Sequence, residues 1–239
     1  MKNKTNSKKA VIFDFDDTLA KTRYGKNLGL KLASRKIYDF LKEKGTNTGS
    51  FEDLYRKIRE TTCKIEHKGI YNRNLWWFFI IKELFKISPS KSFLDGLTEI
   101  YWDAVKKKSG LYKDAISTLV YLKNKKYILG MVTDTDGVKE LKSERIKKLN
   151  LKKWFDFIVV AGEDIKQTKP DKAPFLLIAK KLKLKPHECI FVGNNIYVDV
   201  LGAKKAGMAT VLVKRGNCNA KIKPDYVIKT LVELKKIVS

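Results

Sequence analysis

The stretch 11-VIFDFDDTLA-20 decides the fold. Residues 10–15 read as a strand buried on both faces. Its end is crowded by Asp14, Asp16 and Asp17. A hydrophobic core does not stop in three carboxylates unless positive charge meets them there.

The same kind of apolar run recurs at residues 127–133, 157–161, 189–192 and 210–213, with a short sixth at 226–228. Helical spacing of apolar residues fills the gaps, at 114–125, 139–149, 174–182 and 201–206. Strands alternating with helices predict an α/β fold. Right-handed crossovers then make it a doubly wound, Rossmann-like parallel sheet.

Residues 22–108 interrupt the alternation with helices only. One is expected at 28–44 and a second after the S-x-x-D cap of Ser50 and Asp53, running to about His67. A third covers 74–86, apolar nearly all round and so expected to be central, and a fourth covers 90–107. The expected organisation is a basic tail at 1–9, a core of 10–21 with 109–239, and an all-helical cap domain at 22–108. Residues 22–27 are expected to be a hinge and flap, bending at Gly25.

Composition narrows the function. No apolar run reaches the ~18 residues of a membrane span, and the start MKNKTNSKKA lacks the apolar core of a signal peptide. The reading is a soluble cytoplasmic protein, monomer or homodimer, with no membrane partner. Cys63, Cys189 and Cys218 are scattered, and His67 and His187 are the two histidines, so neither a zinc site nor a disulfide framework is expected. The net charge of +25 raises nucleic acid as a partner. Its lysines are spread along the chain with no recognition motif, so no specific nucleic-acid partner is expected.

Ligands of open parallel sheets bind beyond the carboxyl ends of the strands. There the sequence puts Asp14, Asp16, Asp17 and Thr18, then Thr133, Asp134, Thr135 and Asp136. Lys169 and Pro170 precede the fourth strand, and Gly193, Asn194, Asn195 and Asp199 follow it. Clustered carboxylates without usable histidine or cysteine point to Mg²⁺. With a lysine and a threonine hydroxyl, such a site suits a phosphoryl group. One carboxylate can attack phosphorus while another moves the protons.

DFDDT, a strand ending in Thr, then Lys-Pro, then a strand followed by G-x-x-x-x-x-D make an order that resembles the haloacid dehalogenase-like hydrolase superfamily. The helical insert resembles its C1 cap. The resemblance implies a Mg²⁺-dependent phosphatase acting on a small phosphorylated metabolite. It makes Asp14 the nucleophile and a metal ligand, and Asp16 the general acid/base with a metal-binding main-chain carbonyl. Thr133 and the Asp134 N–H would bind phosphoryl oxygens, Lys169 would balance charge, and Asp199 would hold the metal. DFDDTL, VTDTDGVKE and LGAKKAGMATVLVKRG look most like the phosphoglycolate and glyceraldehyde 3-phosphate phosphatase group. One departure stands out: the family's metal-binding aspartate is Asn194 here. That substitution motivates a rival reading, an inactive phosphate-binding member. A nucleic-acid-associated protein and a phosphomutase are the other rivals.

Asp17, Asp134 and Asp136 have an ordinary reading as turn and helix caps. Trp76, Trp77, Phe78 and Phe79 read as cap core rather than a pocket. Arg56, Arg59 and His67 read as a solvated helix face rather than substrate contacts.

Overall fold

The computed structural model describes residues 9–66, 70–215 and 222–238. Residues 1–8 of the expected tail at 1–9, His67 and Cys218 lie outside them. The chain forms two compact units. One holds Gly110–Thr135 and Lys139–Ser239 together with the N-terminal segment to Lys21, and the other holds Thr22–Ser109 with Asp136–Val138.

In the first unit six strands make one parallel sheet. They are β1 (Ala10–Phe13), β4 (Ile128–Asp134), β5 (Phe157–Ala161), β6 (Cys189–Gly193), β7 (Ala209–Val213) and β8 (Tyr226–Ile228), in the order β5-β4-β1-β6-β7-β8. A separate antiparallel pair joins β2 (Ala20–Lys21) to β3 (Gly110–Leu111). The helices of this unit are α5 (Ala115–Asn124), α6 (Leu141–Lys148), α7 (Ala173–Lys181) and α8 (Leu201–Lys205).

The pleat of β1 explains why the sheet carries helices on both faces. Val11 and Phe13 join a core with Leu119 and Leu122 of α5 and Ile146 of α6. Ala10 and Ile12 join the opposite core, with Phe175 and Ile178 of α7 and Ala203 of α8. All four β1 side chains are fully buried. Each large one contributes roughly 1.5–3 kcal/mol. β1 ends at Phe13 rather than at residue 15. Asp14 still donates its N–H to Val192 O at 2.9 Å, and then the carbonyl of Phe15 accepts from Leu19 and Ala20, turning the chain back. Asp17 makes that turn at φ 58°.

The second unit is helical: α1 (Arg23–Glu43), α2 (Phe51–Glu66), α3 (Arg73–Phe85) and α4 (Lys91–Lys108). Ser50 caps α2 as its sequence suggests, accepting the Asp53 N–H at 3.1 Å. Of residues 22–27, expected to be a hinge and flap bending at Gly25, those from Arg23 on are helical and open α1. Gly25 is not a bend but a contact surface. A Cβ on it would stand 2.9 Å from Val105 Cα, and one on Gly29 would stand 2.6 Å from the Tyr101 carbonyl, so these glycines let α1 press against α4. Gly29→Ala is therefore expected to destabilise the protein by about 1–3 kcal/mol, read as a lower midpoint in urea; an unchanged midpoint would mean that α1 has room to move.

α3 is less enclosed than its composition suggests. Trp76, Trp77, Ile80 and Ile81 are buried, whereas Leu75 and Phe79 are exposed. The Arg73 guanidinium stacks 3.5 Å from the centre of the Trp76 ring and also faces Tyr101 and Trp102. Arg56 pairs with Asp53 and Arg59 lies over Tyr55, both on the surface. Residues 136–138 belong with the helices because Gly137 lies against the start of α3. A Cβ there would meet Tyr71 O at 2.2 Å. Among the described residues no helix is long and apolar enough to cross a membrane.

Candidate active site

The order β4-β1-β6 places three carboxyl ends side by side at the point where the strand order reverses, the usual ligand position in such a sheet. Asp14 leaves β1, Thr133 and Asp134 end β4, and Asn194 follows β6. Lys169 enters from the loop between β5 and α7, through a cis peptide to Pro170. Its backbone N–H is held by Asp134 Oδ1 at 2.9 Å. The Asp134 side chain thus anchors the lysine loop, a task its reading as a helix cap missed.

Lys169 lies between two carboxylates. Its Nζ is 2.7 Å from Asp14 Oδ1 and 2.7 Å from Asp199 Oδ1. All three are buried. Asp199 arrives on a π-helical turn, Ile196–Val200, and its Oδ2 accepts the Asn195 N–H at 2.9 Å. Gly193 makes room for it: a Cβ there would stand 2.5 Å from the Asp199 carboxylate. Thr18 Oγ1 lies 2.9 Å from Asp14 Oδ2 and 3.1 Å from Asn194 Oδ1, linking the ends of β1 and β6.

One ammonium facing two carboxylates leaves a surplus negative charge. Burial pushes the Asp14 carboxyl up to about 6, with Lys169 pulling it down and Asp199 pushing it up. Burial works against the charged form of Lys169, but Asp14 and Asp199 outweigh it and hold the lysine protonated, well above its ordinary range. A hard cation fits this remainder. The oxygens that could hold one are those of the Asp14 and Asp199 carboxylates and the Asn194 amide, all hard donors. Among the described residues no cluster of three or more Asp, Glu, His or Cys side chains forms.

Asp16 is held from a different direction. Its Oδ2 is 2.5 Å from Lys142 Nζ and its Oδ1 is 2.5 Å from Arg145 Nη2, both on α6. The entry to α6 is fixed by Glu163, which accepts from Thr135 Oγ1 at 2.7 Å and from the Glu140 N–H at 3.0 Å. Sequence reasoning missed Lys142 and Arg145 among many lysines and arginines. The available signal was their i, i+3 spacing on the buried side of a short amphipathic helix, beside Leu141 and Ile146.

Asp14, Lys169, Asp199, Asn194 and Thr18 are thus brought together, Asp134 supports them through the Lys169 backbone, and Thr133 is buried at the end of β4 beside β1. Known proteins carry the same order of elements. The family model for haloacid dehalogenase-like hydrolases matches residues 8–207. A glyceraldehyde 3-phosphate phosphatase from Methanopyrus kandleri is 31% identical over 209 residues, 87% of this chain and 84% of that one. A ribulose-1,5-bisphosphate 5-phosphatase from Halopiger xanaduensis is 27% identical over 245 residues, 96% and 99% of the two chains. The crystal structure of a HAD phosphatase from Thermococcus onnurineus superposes with a TM-score of 0.70 at 29% identity, covering 97% and 98%. With its fold, its ordered motifs and relatives of this kind, the chain belongs to the haloacid dehalogenase-like hydrolase family, as a phosphatase.

Proposed function

We propose that the protein hydrolyses a small phosphomonoester through an aspartyl-phosphate on Asp14, with Mg²⁺ held by Asp14, Asp199, Asn194 and the Asp16 carbonyl. The observation that carries the reading is the Lys169 ammonium at 2.7 Å from both Asp14 and Asp199. It favours the ionised form of a buried carboxylate that can attack phosphorus, in a negatively charged site that a bound dication would balance as a phosphoryl group enters. An Asp14 oxygen forms a bond to phosphorus as the bond to the leaving oxygen breaks, and the Asp16 carboxyl group gives that oxygen its proton. Asp16 then takes a proton from water as water attacks phosphorus and the bond to Asp14 breaks. Thr133 and the Asp134 N–H hold the phosphoryl oxygens throughout. When bound, Mg²⁺ supplies positive charge against those oxygens.

Curated relatives named for glyceraldehyde 3-phosphate and ribulose 1,5-bisphosphate support a sugar phosphate or related short phosphorylated metabolite as substrate. Residues 22–108 serve as the cap, and the reaction belongs in the cytoplasm. The test is phosphate release from a panel of such esters, with Mg²⁺ and with EDTA. Mg²⁺-dependent release is expected. Release that EDTA leaves intact would sink the metal assignment, and no release from any ester would favour the inactive reading that Asn194 motivates.

Asn194 also gives a graded prediction. Asn194→Asp adds a charged oxygen ligand, and the Mg²⁺ concentration for half-maximal activity is expected to fall about ten-fold. Titration of phosphate release with Mg²⁺ measures it. An unchanged midpoint would place residue 194 outside the metal's ligands.

A further inference from the structure

Two cations that the chemistry above leaves out are buried beside it. Lys142 and Arg145 stand three residues apart on α6 and so project from one face. Their side chains are 2% and 3% exposed. Each takes one oxygen of the same carboxylate, Asp16, at 2.5 Å. Both lie over the ring of Phe15, at 5.6 and 5.3 Å from its centre. Burying two cations is costly, and packing alone is served as well by apolar side chains. The cost is accounted for if the Asp16 carboxyl group has to occupy one place.

We propose that Lys142 and Arg145 are positioning residues that fix the Asp16 carboxyl group for proton transfer; the proposal rests on the acid/base role given to Asp16 above. The two cations divide the work. The planar guanidinium of Arg145 fixes the direction of Oδ1. Lys142 carries a single charge on a flexible stem and yields Oδ2 to the leaving oxygen of the substrate. In that step Asp14 bonds to phosphorus, the bond from phosphorus to the leaving oxygen breaks, and the proton on Asp16 Oδ2 passes to that oxygen. Oδ2 takes that proton from solvent once Lys142 has withdrawn from it, since an ammonium donor and a proton cannot share one oxygen. Without the pair the carboxyl group samples its rotamers, and a misplacement of about 1 Å costs on the order of 10²-fold in rate.

The test uses leaving groups of different quality. An alkyl phosphate such as glyceraldehyde 3-phosphate needs a proton on its leaving oxygen, whereas p-nitrophenyl phosphate expels a stable phenolate without one. Asp16→Asn, Arg145→Gln, Lys142→Gln and Arg145→Lys are compared with wild type, each checked for an intact thermal transition. Single-turnover measurements give the rate of the first step. Asp16→Asn and Arg145→Gln are expected to slow the alkyl ester about 10²-fold or more. Their nitrophenol burst should fall far less than the alkyl rate, with KM for the alkyl ester little changed. Lys142→Gln should show the same selectivity to a smaller degree, and Arg145→Lys should recover at least part of the alkyl rate. Equal losses on both esters for Arg145→Gln, beside a selective loss for Asp16→Asn, would overturn the positioning role and leave the acid assignment standing. Equal losses for Asp16→Asn itself would overturn both. An Arg145→Gln enzyme that keeps its alkyl rate would also overturn the proposal.

Discussion

Asp14→Asn is expected to lower phosphate release by at least about 10³-fold, because the amide oxygen is a poor nucleophile and no other group takes its place. Rapid acid quenching with labelled substrate should trap phosphate on the wild-type protein and none on the variant. Labelled phosphate on the variant would move the nucleophile elsewhere. The same substitution has an opposite effect on stability. Burial raises the folded Asp14 carboxyl from 3.8 to about 6, against the pull of Lys169 and with the push of Asp199. As pH climbs from 3.8 towards 6, the unfolded chain releases this proton before the folded one does. Wild-type stability therefore falls across that window, and the deficit is complete above it. The asparagine variant has no such proton. Without divalent cation, its melting temperature should exceed that of wild type at pH 7, and the gap should close towards pH 4. A variant less stable than wild type at pH 7 would mean that the Lys169 pairing outweighs burial.

Lys169→Met should damage both properties at once. Lys169 is the shared partner of Asp14 and Asp199 in the interior. Its removal leaves two buried carboxylates without their ammonium, a loss of about 3–5 kcal/mol at neutral pH. Acid should narrow the loss, since each carboxylate that takes a proton removes part of the repulsion. Mg²⁺ should narrow it too, because a dication can balance the same oxygens. Activity should be lost under all of these conditions. The measurement is the melting temperature at pH 5 and pH 8, with and without Mg²⁺. A transition within a degree of wild type at pH 8 without metal would show that other groups neutralise the pair.

The parallel sheet was legible because its strands are buried on both faces, so Ala10–Phe13 and Cys189–Gly193 read as unbroken apolar runs. The motif carboxylates were legible because charge at the end of such a run has no place in a core. Two kinds of feature were not. Gly25 looked like a bend because glycine permits bends, whereas here it permits close approach of α4, a fact that depends on Val105 eighty residues away. Lys142 and Arg145 did not stand out among the other charges of their helix, because one sequence does not show which face a helix turns inward when charges occupy both. Their partner Asp16 lies more than a hundred residues away. The missed residues are thus those whose meaning rests on a distant neighbour, while local patterning carried the rest.

The short pair β2 and β3 has a consequence for modular engineering. Lys21 pairs directly with Gly110, so the chain departs for residues 22–109 and returns from them at adjacent points of one ribbon. A two-residue Asn-Gly turn spans such a gap, making an ordinary hairpin of the two strands. The long excursion therefore leaves and rejoins this ribbon at one place. Exchanging it for the corresponding segment of a relative reroutes no strand of the parallel sheet, provided that residues 136–138, which belong with the helices, are exchanged with it.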